Sequence, residues 1–305
     1  MQTVVKWLTV ALVFALAGCA NFGAVRRFAA ETTTMTGTVR TELEQMAKLC
    51  EFPADMQLLL DEASGRQDQP GATGKRLKAA CASVGAESVE LQRLTVDTLD
   101  GYAAALRAMA EGSNFEVHSA IDATGAKIAA LQTRDGAALV NPEKAGALTR
   151  LIGLVGDIVL RYKREEGVRK LLEVEGDLAG VAGSLREFFV RRDGRQSPYE
   201  NVVSTGAGLR RDLQVDLGQV AKLEPVRAAE LRRMIPPDAT FTDRQAATGG
   251  KIPAQIAARV DEWVGLLPAF RKDALTPDPK ALFDELDTFR TRALETRRAI
   301  AQAGF

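Results

Sequence analysis

The chain has 305 residues, with 40 basic and 40 acidic side chains and one histidine, His118. That balance excludes a global electrostatic pull on nucleic acid, and a lone histidine excludes an HExxH motif or a histidine-pair metal site. Aromatic residues make up 6% of the chain, too few for a sugar-stacking platform.

Residues 1–18 read MQTVVKWLTVALVFALAG: one positive charge at Lys6, an apolar run from Trp7 to Leu16, then small residues. This is the layout of a secretory signal, and the run is well short of the roughly 20 residues that span a bilayer. Leu16-Ala17-Gly18-Cys19 closes it and resembles the lipobox of bacterial lipoproteins. The resemblance implies that the Cys19 sulfur takes a diacylglycerol, that the signal is cut just before Cys19, and that the new amine is acylated, as with palmitate. Small residues at 17 and 18 give the peptidase access to the backbone. One chain holds only marginally, at roughly 0.8 kcal/mol per buried CH₂, whereas two or three hold durably. Ala20 in place of an aspartate implies delivery to the outer membrane, with the anchored body facing the periplasm. Residues 19–23 are then a short acylated tether.

Removal of residues 1–18 leaves 287 residues with 39 basic and 40 acidic side chains, enough for one large or two medium domains. Local basic runs, such as RRDGR at 191–195, have carboxylates nearby and read as solvated helical faces. Two cysteines remain, Cys50 and Cys81, an even pair in an oxidising compartment. Each falls on a candidate helix with a turn-rich segment between, which predicts a Cys50–Cys81 disulfide. Closing a loop of about 30 residues contributes roughly 3–4 kcal/mol on the chain-entropy account. The alternative is two separate buried thiols.

Helical periodicity dominates the mature chain. From Val25 one heptad series runs Val25, Thr32, Val39, Met46, and a second runs Phe28, Met35, Glu42, Leu49. Glu42 is a polar intruder whose neighbour Leu43 can take its place. The pattern predicts a helix with one apolar stripe, after which Pro53 opens a shorter piece ending near Ala63. SGRQDQPGATG (64–74) reads as a turn-rich connector. A second long helix is expected from about Lys75 to Glu111, stopped by Gly112. A third piece carries Phe115, Val117, Ile121, Ile128 and Leu131.

NPEKAG (141–146) is a strong helix start: Asn141 as N-cap, Pro142 at N1 and Glu143 in the first turn. Leu148, Leu151, Val155, Ile158 and Tyr162 keep one phase. REEG (164–167) interrupts it, and Leu171, Val174, Leu178, Val181, Leu185 and Phe188 form a series in a new phase. Such a shift marks an unwinding or a kink. An unbroken element reaching Arg192 would span about 75 Å, which predicts an elongated shape. SPYE (197–200) repeats the start signal with Ser197 capping and Pro198 at N1. Pro225 is expected to bend or divide that helix. Residues 236–250 read as a loop. Two last helices carry Ile256, Val260, Trp263, Val264, Leu267 and, beyond LTPDP (275–279), Leu282, Leu286, Phe289, Ala293.

No stretch alternates at period two. The reading is an all-α protein: an elongated antiparallel helical bundle of about seven helices with coiled-coil-like packing. The expected divisions are a signal at 1–18, a tether at 19–23, and helical regions at 24–135 and 141–305 that together form one bundle or two. Gly153, Gly156, Gly176, Gly180 and Gly183 are expected to allow close helix contacts.

Motifs that carry chemistry fail on inspection. GATGKR (71–76) and ATGGKI (247–252) resemble a phosphate loop, but Gln69 and Arg76, and Gln245 and Ile252, occupy positions that demand glycine and Ser/Thr. His118 with Glu116, Ser119 and Asp122 does not align for proton transfer on a helix. No catalytic, cofactor-binding or metal-binding residue is expected. The functional expectation is a non-catalytic scaffold or adaptor of the cell envelope, held to the membrane through Cys19 and bound to a protein partner rather than nucleic acid. The alternative is a helical module that binds a lipid or other hydrophobic ligand.

Overall fold

The computed structural model describes residues 22–63, 87–112, 122–128, 142–190, 194–234 and 251–303. These residues are helical nearly throughout and contain no β-strand, so the protein is all-α. The helices are α1 (Phe22–Ala63), α2 (Glu87–Glu111), α3 (Pro142–Arg161), α4 (Arg164–Glu173), α5 (Glu175–Phe189), α6 (Pro198–Leu223), α7 (Pro225–Met234), α8 (Lys251–Asp273) and α9 (Lys280–Ala303). A short helical segment covers 122–128. The expectation of about seven helices is therefore too low. The difference comes from the joints at 162–163 and 174, which divide the stretch from Pro142, and at Pro225, which separates α6 from α7.

α1 is the hub. At 42 residues it is about 63 Å long, and it runs without a break through position 53, where the sequence predicts a new piece. From Phe22 to Met46 only Arg26, Thr33 and Glu44 are exposed, so one narrow line faces water instead of one stripe facing a core. Ion pairs and hydrogen bonds fix the directions of its neighbours. Arg40 reaches Asp97 and Asp100 on α2 and Trp263 of α8 reaches Thr32, with both helices antiparallel to α1. Tyr199 and Asp216 of α6 meet Glu42 and Gln57, which makes α6 parallel to it.

Crowding on all sides explains the composition of α1. Thr32, Thr33, Thr34, Thr38 and Thr41 each donate a hydroxyl proton to the carbonyl four residues back, at 2.9–3.1 Å. With the hydroxyl satisfied locally, the threonines other than the exposed Thr33 present a small branched surface to their neighbours. The main core takes residues from Ala24 to Ala110 and from Ala145 to Ile300, so both expected helical regions contribute to it. A second, smaller core gathers Met56, Leu60, Leu213, Leu217, Val220, Ala228 and Leu231 at the far end of α1.

The stretch from Pro142 onward, where the change of heptad phase at REEG marks an unwinding or a kink, is three helices and not one unbroken element. The chain leaves helical geometry at Tyr162–Lys163 and again at Val174. It then doubles back, so that Lys144 at the start of α3 pairs with Glu187 near the end of α5 at 2.9 Å. The two heptad phases survive as buried faces: Leu148, Leu151, Val155 and Ile158 on one, Leu171, Val174, Leu178, Val181, Leu185 and Phe188 on the other. Other punctuation holds. Gly112 takes φ 76° at the end of α2. Ser197 and Glu200 form a reciprocal capping box with Pro198 at N1. Pro225 divides α6 from α7.

Four of the five glycines expected to mediate close contacts do not. A Cβ added at Gly153, Gly176, Gly180 or Gly183 would have no neighbour within 4 Å. The close approach is at Gly167, where a Cβ would lie 2.6 Å from the Met109 Sδ, and Met109 is fully buried. Gly153→Ala, Gly180→Ala and Gly183→Ala are each expected to stabilise by about 0.5–1 kcal/mol. Gly167→Ala is expected to destabilise by about 1–2 kcal/mol through overpacking. Urea midpoints followed by circular dichroism separate the two outcomes.

Candidate functional site

Two regions concentrate polar side chains where packing alone would not place them. The first is the end of the bundle where α1 begins. Phe22 packs against the core, and the Arg164 guanidinium lies over its ring, 5.7 Å from the centroid. Arg164 adopts φ 32°, a left-handed conformation that costs a residue with a side chain about 1–3 kcal/mol. The same residue starts α4 and approaches Gly112, where a Cβ would meet its Nε at 3.4 Å. Gly112 therefore serves its own left-handed φ and lies in contact range of the Arg164 side chain. Beside them Arg27 pairs with Asp287 and lies 5.3 Å from the centre of the Phe283 ring. The starts of α1, α4 and α9 and the ends of α2 and α8 thus meet at one place.

The second region runs along the interior of α1. Phe28 stacks on Phe270 at 3.8 Å with an 8° interplanar angle. Thr32 accepts a hydrogen bond from the Trp263 indole N–H at 2.9 Å and donates to the Phe28 carbonyl at 2.9 Å. One turn on, Thr36 donates to Asp100. Arg40 bridges Asp97 at 2.8 Å and Asp100 at 2.7 Å, with Lys127 at 3.8 Å from Asp97. Further along, the Tyr199 hydroxyl donates to Glu42 Oε1 at 2.8 Å, inside a cage made with Phe188 and Phe189. Glu31 is also buried, with Arg290 at 3.8 Å and its Oε2 lacking a hydrogen-bond partner.

Burial pushes three of these carboxyls above the usual carboxylate range. Glu42 is raised by desolvation, with the Tyr199 hydrogen bond opposing. Glu31 is raised by desolvation against Arg290 and Arg27. Asp100 is raised by desolvation and more weakly by Asp97, against Thr36 and Arg40. Glu42 and Asp100 each meet partners on another helix, an arrangement that fixes helix register. Among the described residues no group of three or more His, Cys, Asp and Glu side chains is placed to hold a metal ion. Nor is any described helix long and apolar enough to cross a membrane.

Of the residues expected from sequence, Cys19 and Cys81 lie outside the described residues, as do His118 and the stretch 71–76. Cys50 is part of α1, but its side chain lies outside the description. Leu43 does not replace Glu42: both are buried, at 0% and 4% exposure. The Tyr199 partnership and the Arg164 turn carry fainter signals in the sequence, the heptad intrusion of Glu42 and the phase break at REEG. Comparison with protein-family models, curated proteins and solved structures finds no match for this chain.

Proposed function

We propose that this chain is an envelope lipoprotein, anchored in the outer membrane through acylated Cys19, whose helical body acts as a non-catalytic scaffold or adaptor for a periplasmic protein partner. The observation that carries the reading is Leu16-Ala17-Gly18-Cys19 standing three residues ahead of Phe22, where α1 starts. Three residues reach at most about 10 Å, so a pull on the anchor would be borne by the most thoroughly packed helix of the body. Gln57 pairs with Asp216 at 2.9 Å, and 35 residues of helix separate position 57 from Phe22. The distal end therefore stands about 52 Å from the anchored one, which suits a protein that holds a partner at a distance from the membrane. A Cys50–Cys81 bridge belongs to the same reading, since it needs the oxidising compartment that the signal implies.

Cys19→Ser tests it. Labelling cells with radioactive palmitate is expected to mark the wild-type chain and leave the variant unlabelled and uncut. Normal processing of Cys19→Ser would contradict the assignment.

A further inference from the structure

We infer that the outward face of α3 pairs with the same face of a second copy of this chain, the two helices running antiparallel about a twofold axis between positions 153 and 154. The inference does not rest on the anchor at Cys19. Its first support is exposed apolar surface. Among the described residues the large apolar side chains open to water are Leu154, 43% exposed, Leu160, 64% exposed, Val215 and Val226. Two of them lie on α3, six residues apart, although the inward face of that helix is already filled by Leu148, Leu151, Val155 and Ile158.

The second support is spacing. Residues seven apart fall on nearly one line of a helix. Gly146, Gly153 and Leu160 make one such line on α3, and Arg150 and Asp157 make another beside it. Leu154 flanks the charged line on its other side. A Cβ added at Gly146 or Gly153 would meet nothing within 4 Å. These glycines are therefore shallow places on an open surface, where a leucine from a second helix can seat.

The third support is charge, and it selects the occupant. Pairing that sets Arg150 against Arg150 brings like charges together. An antiparallel copy centred between 153 and 154 instead sets Arg150 against Asp157 of the second copy and, by symmetry, Asp157 against its Arg150. In that register Leu154 meets Leu154 on one side of the charged line. On the other side Gly153 faces Gly153, and Leu160 settles beside Gly146 of the second copy, twice over. Glu143 comes within one turn of Arg161 of the second copy, again with opposite sign. Asp157 pairs with Arg161 of its own helix at 2.6 Å, but an exposed pair of this kind contributes little and leaves the carboxylate able to meet a second cation. A patch that complements itself in shape and sign is what an isologous interface requires. One helix pair lies below the standard interface size of about 1,600 Å², so the dimer is expected to be reversible.

The experiment follows the full chain in excess detergent by sedimentation velocity over a range of concentrations, where a monomer–dimer equilibrium is expected. Arg150→Asp and Asp157→Arg each reverse one exposed charge. Either alone brings like charges together at two places in the symmetric pair and is expected to weaken dimerisation by about tenfold. Mixed in equal amounts, the two variants are expected to recover the dimer, because each supplies the charge that the other lacks. Damage to the fold would not be repaired by mixing. Leu154→Cys is expected to give a covalent dimer on mild oxidation, while Val215→Cys, at a 62% exposed position on α6, gives no more than the wild type. A chain that stays monomeric at every concentration would overturn the inference and leave this face to a different partner. Single variants that dimerise like the wild type, a mixture that stays monomeric, or equal cross-linking at 154 and 215 would overturn it as well.

Discussion

Replacing Trp263 by alanine is expected to cost about 3–5 kcal/mol of folding stability. Trp263 is fully buried, it packs 5.8 Å from the Phe28 ring, and it joins α8 to the hub helix through its indole N–H on Thr32. Two milder variants separate packing from hydrogen bonding. Trp263→Phe keeps most of the ring and leaves Thr32 still donating to the Phe28 carbonyl, so about 1–2 kcal/mol is expected from lost volume. Thr32→Val keeps the shape of the threonine but strands a buried indole N–H, at about 1–3 kcal/mol. Urea unfolding followed by circular dichroism gives all three values. If Trp263→Ala were as stable as the wild type, α1 would not be the packing centre of the bundle.

The second large effect is on the pH dependence of stability. Glu42, Glu31 and Asp100 all have raised pKa values in the folded protein, so the folded state holds these protons more tightly than the unfolded chain does. Their contribution is fully present below the ordinary carboxylate range, at about pH 4, and is lost as pH rises through the raised folded values. Thermal unfolding is therefore expected at a higher temperature near about pH 5 than near about pH 8.

Glu42 should dominate this trend, since it is deeply buried and no cation among the described residues pairs with it. Glu42→Gln is expected to raise stability at the alkaline end and flatten the profile. Removing only the Tyr199 hydroxyl, in Tyr199→Phe, is expected to steepen it and to cost about 1–3 kcal/mol where the carboxyl would ionise. The double variant Glu42→Met/Tyr199→Phe is expected to fall close to the wild type, because removing both partners of a buried polar pair is far cheaper than removing one. A profile that rises toward alkaline pH would contradict the burial of these carboxyls.

How far the sequence can be read follows from which signals are local. Helix starts and stops depend on a few adjacent residues. Pro142, Ser197-Pro198-Tyr199-Glu200, Gly112 and Pro225 all mark boundaries in the structure where local chemistry predicts them. The buried faces of α3, α5, α8 and α9 are legible for the same reason, since each is one face repeating at helical spacing.

Properties set by neighbours distant in the chain are not legible in this way. A helix buried nearly all round has no clean stripe, and α1 disguises its burial with threonines and alanines that look neutral one at a time. Its centrality depends on α2, α6, α8 and α9, none of which is written into residues 22–63. The Tyr162–Lys163 break carries no proline or glycine at the joint, and Arg164 holds a left-handed φ that its own side chain disfavours. Only the change of heptad phase announces it. Glu42 is visible as an exception, but the hydroxyl that makes its burial tolerable comes from Tyr199, 157 positions away.

The chemistry at Cys19 decides whether this body is tied to a membrane, and intact-mass analysis of the mature protein from membranes measures it directly. The prediction is a chain whose first residue is Cys19, heavier than the polypeptide from 19 to 305 by a diacylglycerol and an amide-linked acyl chain. A mature chain that begins elsewhere, or that begins at Cys19 with no acyl mass, would contradict it.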